Sequence, residues 1–403
     1  MIAPGAGTRL FFLGTEGVLF SAPRQELHAF NASACVIWCH LEDGLAPPAI
    51  AAALAASSGV GLATATAHVT AALADWATKG LLDGTPRVPL RSPALPPVID
   101  LPPWQASKWK VRLHYRMAGV TVLVRFARPA HAALVAPLFA HCRLPARQTP
   151  HTVIDIAPAG GRIGLYTDRV PAAIAASDAD LAPAAKAAVW MAVLRRQHHA
   201  LQLHAAVLDG PAGCVLLPAA AGSGKSTRTA ALAHAGFTVF SDDAALLQAD
   251  GFTAAPFPMA MCVKTTGFDV LAPLYPQLPA LPVHRRGDGK HVAYIAPASA
   301  WPDADAPPRP VCGIVFPCYV EGAATRLREL GAAEALARLM AQCLHVVQPL
   351  DIALVDRMVR WIAALPVAEL SYGDLASPCA VVGAVLRGER IAELHLAHDA
   401  PES

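Results

Sequence analysis

Residues 219–227 read Ala219-Ala220-Ala221-Gly222-Ser223-Gly224-Lys225-Ser226-Thr227. Closely spaced glycines followed at once by lysine and a hydroxyl residue are the composition of a phosphate-binding loop. Gly222 and Gly224 let backbone amides turn inward around phosphate oxygens, and the amino end of a following helix adds positive potential. Lys225 supplies a mobile point charge for terminal phosphates, and Ser226 offers a hydroxyl ligand to magnesium. ATP with Mg2+ is the expected ligand. The consensus opens with glycine, whereas this chain has Ala219, whose methyl group narrows the loop.

Two carboxylates follow at the spacing that phosphoryl transfer needs. Asp242 and Asp243 lie just past the strand-like run Phe237 to Phe240, where ligands gather in open parallel sheets. A base for a hydroxyl acceptor and a metal-orienting carboxylate are both wanted there, so both are expected to face the phosphates, Asp242 with Ser226 as magnesium ligands. His204 precedes the loop in the strand-like run Leu201 to Leu208. Lys264, Arg285, Arg286 and Lys290 fall in or near loops, and Arg285 to Lys290 reads as a basic flap able to screen developing charge.

The elements that must hold these groups are legible around them. Gly213 to Leu217 reads as a buried strand limited by Pro218, and Lys225 to His234 as a helix ended by Gly236. Ala219 to Gly224 is therefore a strand-to-helix loop. Upstream, Val111 to Leu113, Val120 to Phe126, Val153 to Ile156 and Ile163 to Tyr166 read as strands, and Ala130 to His141 and Ala182 to His199 as helices. Downstream, Val311 to Val320 reads as a strand, and Ala332 to Leu344 and Leu350 to Leu365 as helices.

With these residues in place, roughly residues 105 to 395 resemble the HPr kinase/phosphorylase catalytic domain and its relatives. His204, Lys225, Ser226 and Asp243 align with that family's active centre without gaps. The resemblance implies an α/β fold of the HPr-kinase/PEP-carboxykinase-like P-loop type. It also implies that Asp243 accepts the proton of the substrate hydroxyl, with Asp242 beside it. The family's metal-binding glutamate falls at Lys264 in Val263-Lys264-Thr265-Thr266-Gly267, which reverses the charge. No match to the segment for the reverse, phosphorylase reaction is found. ATP-dependent phosphorylation is the expectation, with a substrate other than HPr.

The amino-terminal part has a different grammar. Arg9 to Phe20 and Gln25 to Phe30 read as strands around a turn at Ser21-Ala22-Pro23; three helices follow, the first capped by Asn31, the second opened by Pro47 and Pro48, the third running from about Thr64 to Lys79. This is a small winged-helix-like pattern. Leu27-His28-Ala29-Phe30-Asn31-Ala32-Ser33-Ala34, Val36-Ile37-Trp38, Leu73 and Gly80-Leu81-Leu82 resemble the PqqD family, the peptide-recognition domains of ribosomal peptide modification systems. The resemblance implies an extended leader peptide added to a sheet edge.

The expected organisation is a PqqD-like domain over 1–84, a proline-rich linker over 85–103, an α/β segment over 104–200, a P-loop catalytic domain over 201–395 and a polar tail over 396–403. Fusing the two functions predicts a kinase that phosphorylates a serine or threonine of a peptide or protein captured by the first domain. A kinase of a small hydroxylated metabolite, and an ATP-binding switch or peptide chaperone without transfer, are the alternatives.

Bulk composition narrows the partners. Of the 403 residues 54% are hydrophobic, but much of that is alanine, and the longest uncharged stretch, Gly44 to Ala74, is broken by Pro47, Pro48, Gly59 and Gly61. No membrane span and no secretory signal are read, so a cytoplasmic location is expected. A net charge of +2 with mixed signs gives no basic stripe for nucleic acid. The nine cysteines include no Cys-x-x-Cys pair, as suits thiols in a reducing compartment, and Cys35, Cys39 and His40 read as core rather than zinc ligands. The oligomeric state is left open.

Overall fold

The computed structural model describes residues 2–84, 99–145, 148–197, 199–219, 224–296, 301–303, 306–346 and 349–391. Most of the expected linker, the loop residues 220–223 and the expected tail lie outside them. The described residues form a mixed α/β structure divided into two compact units.

One unit contains the described residues of 1–96, 330–341 and 348–365. Strands Thr8–Leu13, Glu16–Ser21 and Glu26–Phe30 form an antiparallel meander, followed by helices Ala32–Glu42, Pro47–Ser58 and Leu62–Thr78. The single strand expected over Arg9 to Phe20 is thus a hairpin, because Gly14 adopts a left-handed φ of 67° that only a tight turn wants. Asn31 caps the first helix as expected, its side chain accepting from Ala34 N at 2.9 Å. Phe30, Trp38 and Trp76 interlock at the centre, with Phe30 stacked on Trp76 at 5.0 Å.

Two further helices, Ala332–Ala341 and Ile352–Ala363, come from far along the chain and pack on the strands of this same unit. Their buried positions, Leu336 and Leu339 on one and Leu354, Val355, Met358, Val359 and Ile362 on the other, recur at helical spacing. Gln25 closes the arrangement: its side-chain amide donates to Leu350 O at 3.0 Å and accepts from Leu350 N at 2.7 Å.

The other unit carries a five-stranded and a six-stranded sheet with smaller sheets beside them. In the first, Val111–Met117, Val120–Phe126, Thr152–Ala159, Arg162–Thr167 and Val170–Ala175 lie in sequence order, covered by helix Asp178–Leu194. A capping box between Ser177 and Asp180 starts that helix four residues before the expected position. The helix expected over Ala130 to His141 is a short α-helix, Pro129–Val135, followed by a kinked 3-10 segment, Ala136–Cys142.

In the six-stranded sheet the central strands Gly213–Pro218, Val311–Tyr319 and Val367–Tyr372 run parallel, and Ala205–Gly210 runs antiparallel between Gly213–Pro218 and the edge strand Thr238–Ser241. Helix Lys225–His234 has the bounds expected from sequence. The run Leu201 to Leu208 is not one strand. It breaks at His204 into Leu201–Leu203, which joins a four-stranded sheet, and Ala205–Gly210, which joins the six-stranded one.

Candidate functional site

The break at His204 explains how distant residues meet. Thr238–Ser241 pairs with Ala205–Gly210 in the six-stranded sheet, and the next strand, Ala245–Leu247, pairs with Leu201–Leu203 in the four-stranded one. Both strand pairs therefore cross between the same two sheets at the same level, leaving His204 on one crossing and Asp242-Asp243 on the other. Ser241 Oγ steadies the second crossing by accepting from the amides of Asp243 at 3.3 Å and Ala244 at 3.1 Å.

The fully buried strand Gly213–Pro218 delivers Ala219 to this crossing; Ala219 is buried, and its amide lies 3.4 Å from His204 O. Ala220, Ala221, Gly222 and Ser223 lie outside the described residues. The chain resumes at Gly224, which caps the helix with φ 77°, a backbone state that an L side chain strains to adopt. Lys225, the first helical residue, turns its ammonium back toward the acidic pair. Its Nζ donates to Asp242 O at 3.0 Å and to Asp243 Oδ1 at 2.5 Å, and His204 Nε2 lies 3.3 Å from the same Oδ1.

The two aspartates have different surroundings. Asp243 is half-buried and faces a cavity, whereas Asp242 is buried and turned inward, its Oδ2 accepting from Cys262 N at 3.3 Å and its Oδ1 3.9 Å from Lys186 Nζ. The expectation that both carboxylates face the cavity is therefore met by Asp243 alone: Asp242 is turned to the Cys262 amide and Lys186. Burial pushes the Asp242 carboxyl up, opposed by the charge of Lys186. Burial pushes Asp243 up as well, but the His204 bond and the ammonium groups of Lys225 and Lys186 outweigh it and hold that carboxyl well below the usual range. Burial works to lower the Lys186 ammonium, yet Asp242 and Asp243 more than compensate and keep it above its ordinary value.

The cavity beside Asp243 measures about 460 Å³, and its wall includes His204, Gly224, Lys225, Ser226 and Thr227 together with Lys264, Arg286 and Lys290. Such a concentration of cationic and hydroxyl groups suits a polyanion. Arg285 is not among them; its guanidinium pairs with Asp180 at 2.9 Å, toward a second cavity. The expected basic flap is a tight hairpin turn between His284–Arg285 and His291–Ile295, closed by Arg286 N donating to Lys290 O at 2.9 Å and carrying Asp288 as ion-pair partner to Arg286 and Lys290.

Two buried cations escaped the sequence reading. Lys186 is the lone basic residue within an alanine-rich helix, a visible signal had the helix been known to be buried. Arg228, one turn after Lys225, is buried and donates to the Tyr372 hydroxyl, while its Nε and Nη2 have no partner among the described residues. Among the described residues there is no cluster of three or more metal-ligating side chains and no helix long and apolar enough to cross a membrane. The cysteines are free thiols.

Residues 16–82 match the family model described as coenzyme PQQ synthesis protein D (PqqD). A PqqD domain thus occupies the amino-terminal part, over the residues on which the sequence resemblance rests. A solved structure, TbiB1 in complex with the TbiA(beta) leader peptide, is 26% identical over 20% of this chain and 95% of its own, with a TM-score of 0.20. No curated protein matches the chain.

Proposed function

We propose that the larger unit is an HPr-kinase-like P-loop kinase that phosphorylates a serine or threonine hydroxyl of a peptide or protein captured by the PqqD domain. The observation that carries this reading is the convergence of Lys225, His204 and Asp243 on one carboxylate oxygen at the wall of a cationic cavity. ATP is the proposed phosphoryl donor. Lys225, Ser226 and Thr227 at the start of a helix, with Lys264, Arg286 and Lys290 opposite, are the groups to hold its phosphates.

Ser226 fits the hydroxyl ligand of a magnesium ion, which when bound neutralises phosphate charge. Asp242 does not fit as its second ligand, since its oxygens face Cys262 N and Lys186; Asp243 is the carboxylate of the pair on the cavity wall.

The sequence of events follows from the ion pair. As phosphates enter, Lys225 transfers its hydrogen bonds from Asp243 to them, and the released carboxylate regains basicity. Asp243 then takes the proton of the acceptor hydroxyl while the hydroxyl oxygen forms a bond to the γ-phosphorus and the bond from that phosphorus to the β,γ-bridging oxygen breaks, leaving ADP. His204 holds the Asp243 carboxylate in place. The PqqD match supports a peptide as the captured partner, and tethering raises the local concentration of its hydroxyl.

Incubation with γ-labelled ATP and the short precursor-like peptide encoded nearest the gene tests the reading. Label on a serine or threonine of that peptide is expected. Label on added small metabolites instead, or ATP binding without turnover, would replace the peptide-kinase reading by one of its alternatives.

A further inference from the structure

Asp243, Cys262 and Arg286 line two cavities at once: the cationic one described above and a larger one of about 820 Å³ on the side of helix Asp178–Leu194. The walls of the larger cavity are mainly apolar. Ala184, Ala187, Trp190 and Met191 come from one face of that helix, Ile174 from the neighbouring strand, and Tyr294 from strand His291–Ile295, which pairs with Met261–Lys264. Alanine at 184 and 187 creates the space, because nothing extends beyond Cβ where the helix faces the opening. Trp190 is held against Phe257 at 5.0 Å, and Tyr294 lies under the Lys186 ammonium at 5.5 Å, so the bulky parts of the wall are braced.

We infer that this second cavity seats the phosphoryl acceptor, a peptide segment whose serine or threonine is flanked by a large apolar side chain. The inference rests on the kinase reading and deepens it. A carboxylate that takes a proton from the acceptor and faces the phosphates with its other side must stand between two sites, and Asp243 does so. The charged groups on the same wall are engaged with other partners, Arg285 with Asp180 and Arg162 with Asp100, so the apolar area gains most from a leucine- or phenylalanine-sized side chain. Lys186, also on this wall, donates to Ala260 O at 2.8 Å and stands beside the buried Asp242.

The test uses the full chain, ATP and two serine peptides that differ only in having leucine or glycine on both sides of the serine. The leucine peptide is expected to have the lower KM by about tenfold or more, the discrimination that an apolar pocket gives. Ala187→Phe fills the cavity without touching Asp243, and should raise the KM for the leucine peptide to that of the glycine peptide. The KM for ATP should stay unchanged. The melting temperature of Ala187→Phe, measured beside the wild type, serves as the folding control and should stay close to it.

Transfer to both peptides with equal KM in the wild type, or an Ala187→Phe protein that keeps the preference, overturns the acceptor-site inference and leaves the kinase reading standing. ATP binding with no transfer to any peptide overturns both.

Discussion

Lys225 Nζ stands 2.5 Å from Asp243 Oδ1, so the charge expected to hold phosphate and the carboxylate expected to take a proton neutralise each other in the structure. The same oxygen lies 3.3 Å from His204 Nε2. A carboxylate held this far below its ordinary range is a weak base, and the proposed reaction needs the pair to separate when nucleotide arrives.

Lys225→Ala should therefore lose phosphoryl transfer by at least about a hundredfold, the effect of removing one positioned electrostatic donor. The melting temperature should stay near that of the wild type, since the Asp243 left behind is open to the cavity. Turnover and thermal melting on the same preparation decide it: undiminished transfer in a folded protein would remove the nucleotide-site argument.

Asp243→Asn and Asp242→Asn should separate the two acids. Loss of the base typically lowers turnover about 100- to 10,000-fold, and Asp243→Asn should do so with near-normal ATP affinity. Asp242→Asn should act mainly on stability, because its carboxylate touches Lys186 and the Cys262 amide rather than the cavity. If Asp242→Asn alone abolishes turnover in a stable protein, the roles are exchanged.

Local signals made the helix after the glycine-rich segment legible: Lys225–His234 is bounded by Gly224 and Gly236, and its bounds follow from those residues alone. The split at His204 was not legible. Leu201 to Leu208 reads as one strand interrupted only by Gln202 and His204, and what breaks it is that Leu201–Leu203 pairs with the remote strands Ala245–Leu247 and Cys343–Val346 while Ala205–Gly210 forms a hairpin with Gly213–Pro218. The amphipathic spacing of Ala332–Ala341 and Ile352–Ala363 announces a buried face without saying which unit buries it. Lys186 was overlooked for the same reason, since its partner Asp242 is remote in sequence.

Lys186→Met should destabilise the protein by about 3–5 kcal/mol, because it leaves the Asp242 carboxylate buried without its cation. Adding Asp242→Asn should recover much of the loss, since the remaining partner is then a neutral amide. Melting of the single and double variants checks this. A double variant as unstable as the sum of the two singles would show that the pair is not coupled.

His141 supplies a pH dependence. Its ring stacks on Trp301 at 4.3 Å and its Nε2 lies 3.3 Å from Pro258 O; burial pushes its pKa down to about 4. An unfolded histidine titrates near ~6.5, so the unfolded chain binds the proton first as pH falls. Stability from this residue is thus complete above about pH 6.5 and is lost progressively toward pH 4, by up to about 3 kcal/mol. His141→Phe should flatten that part of the melting-temperature profile, and an unchanged slope between those pH values would assign it to other groups.

The last prediction concerns truncation. A chain starting near residue 101 would lack the strands on which Ala332–Ala341 and Ile352–Ala363 pack, although it would keep both helices. Leu336, Leu339, Leu354, Val355, Met358, Val359 and Ile362 would then face water, and exposing a side chain of this size costs about 1.5–3 kcal/mol. The truncated chain is expected to aggregate or to melt far below the full protein, so that lost ATP binding in it would say nothing about the proposed nucleotide site. The recognition role of the PqqD domain is better tested in the intact chain by charge-introducing substitutions at exposed positions of strand Glu26–Phe30, such as Ala29→Glu. A full-length variant with wild-type melting and ATP affinity but a raised KM for the native peptide is the expected outcome. An unchanged KM across a set of such variants would separate peptide capture from this sheet.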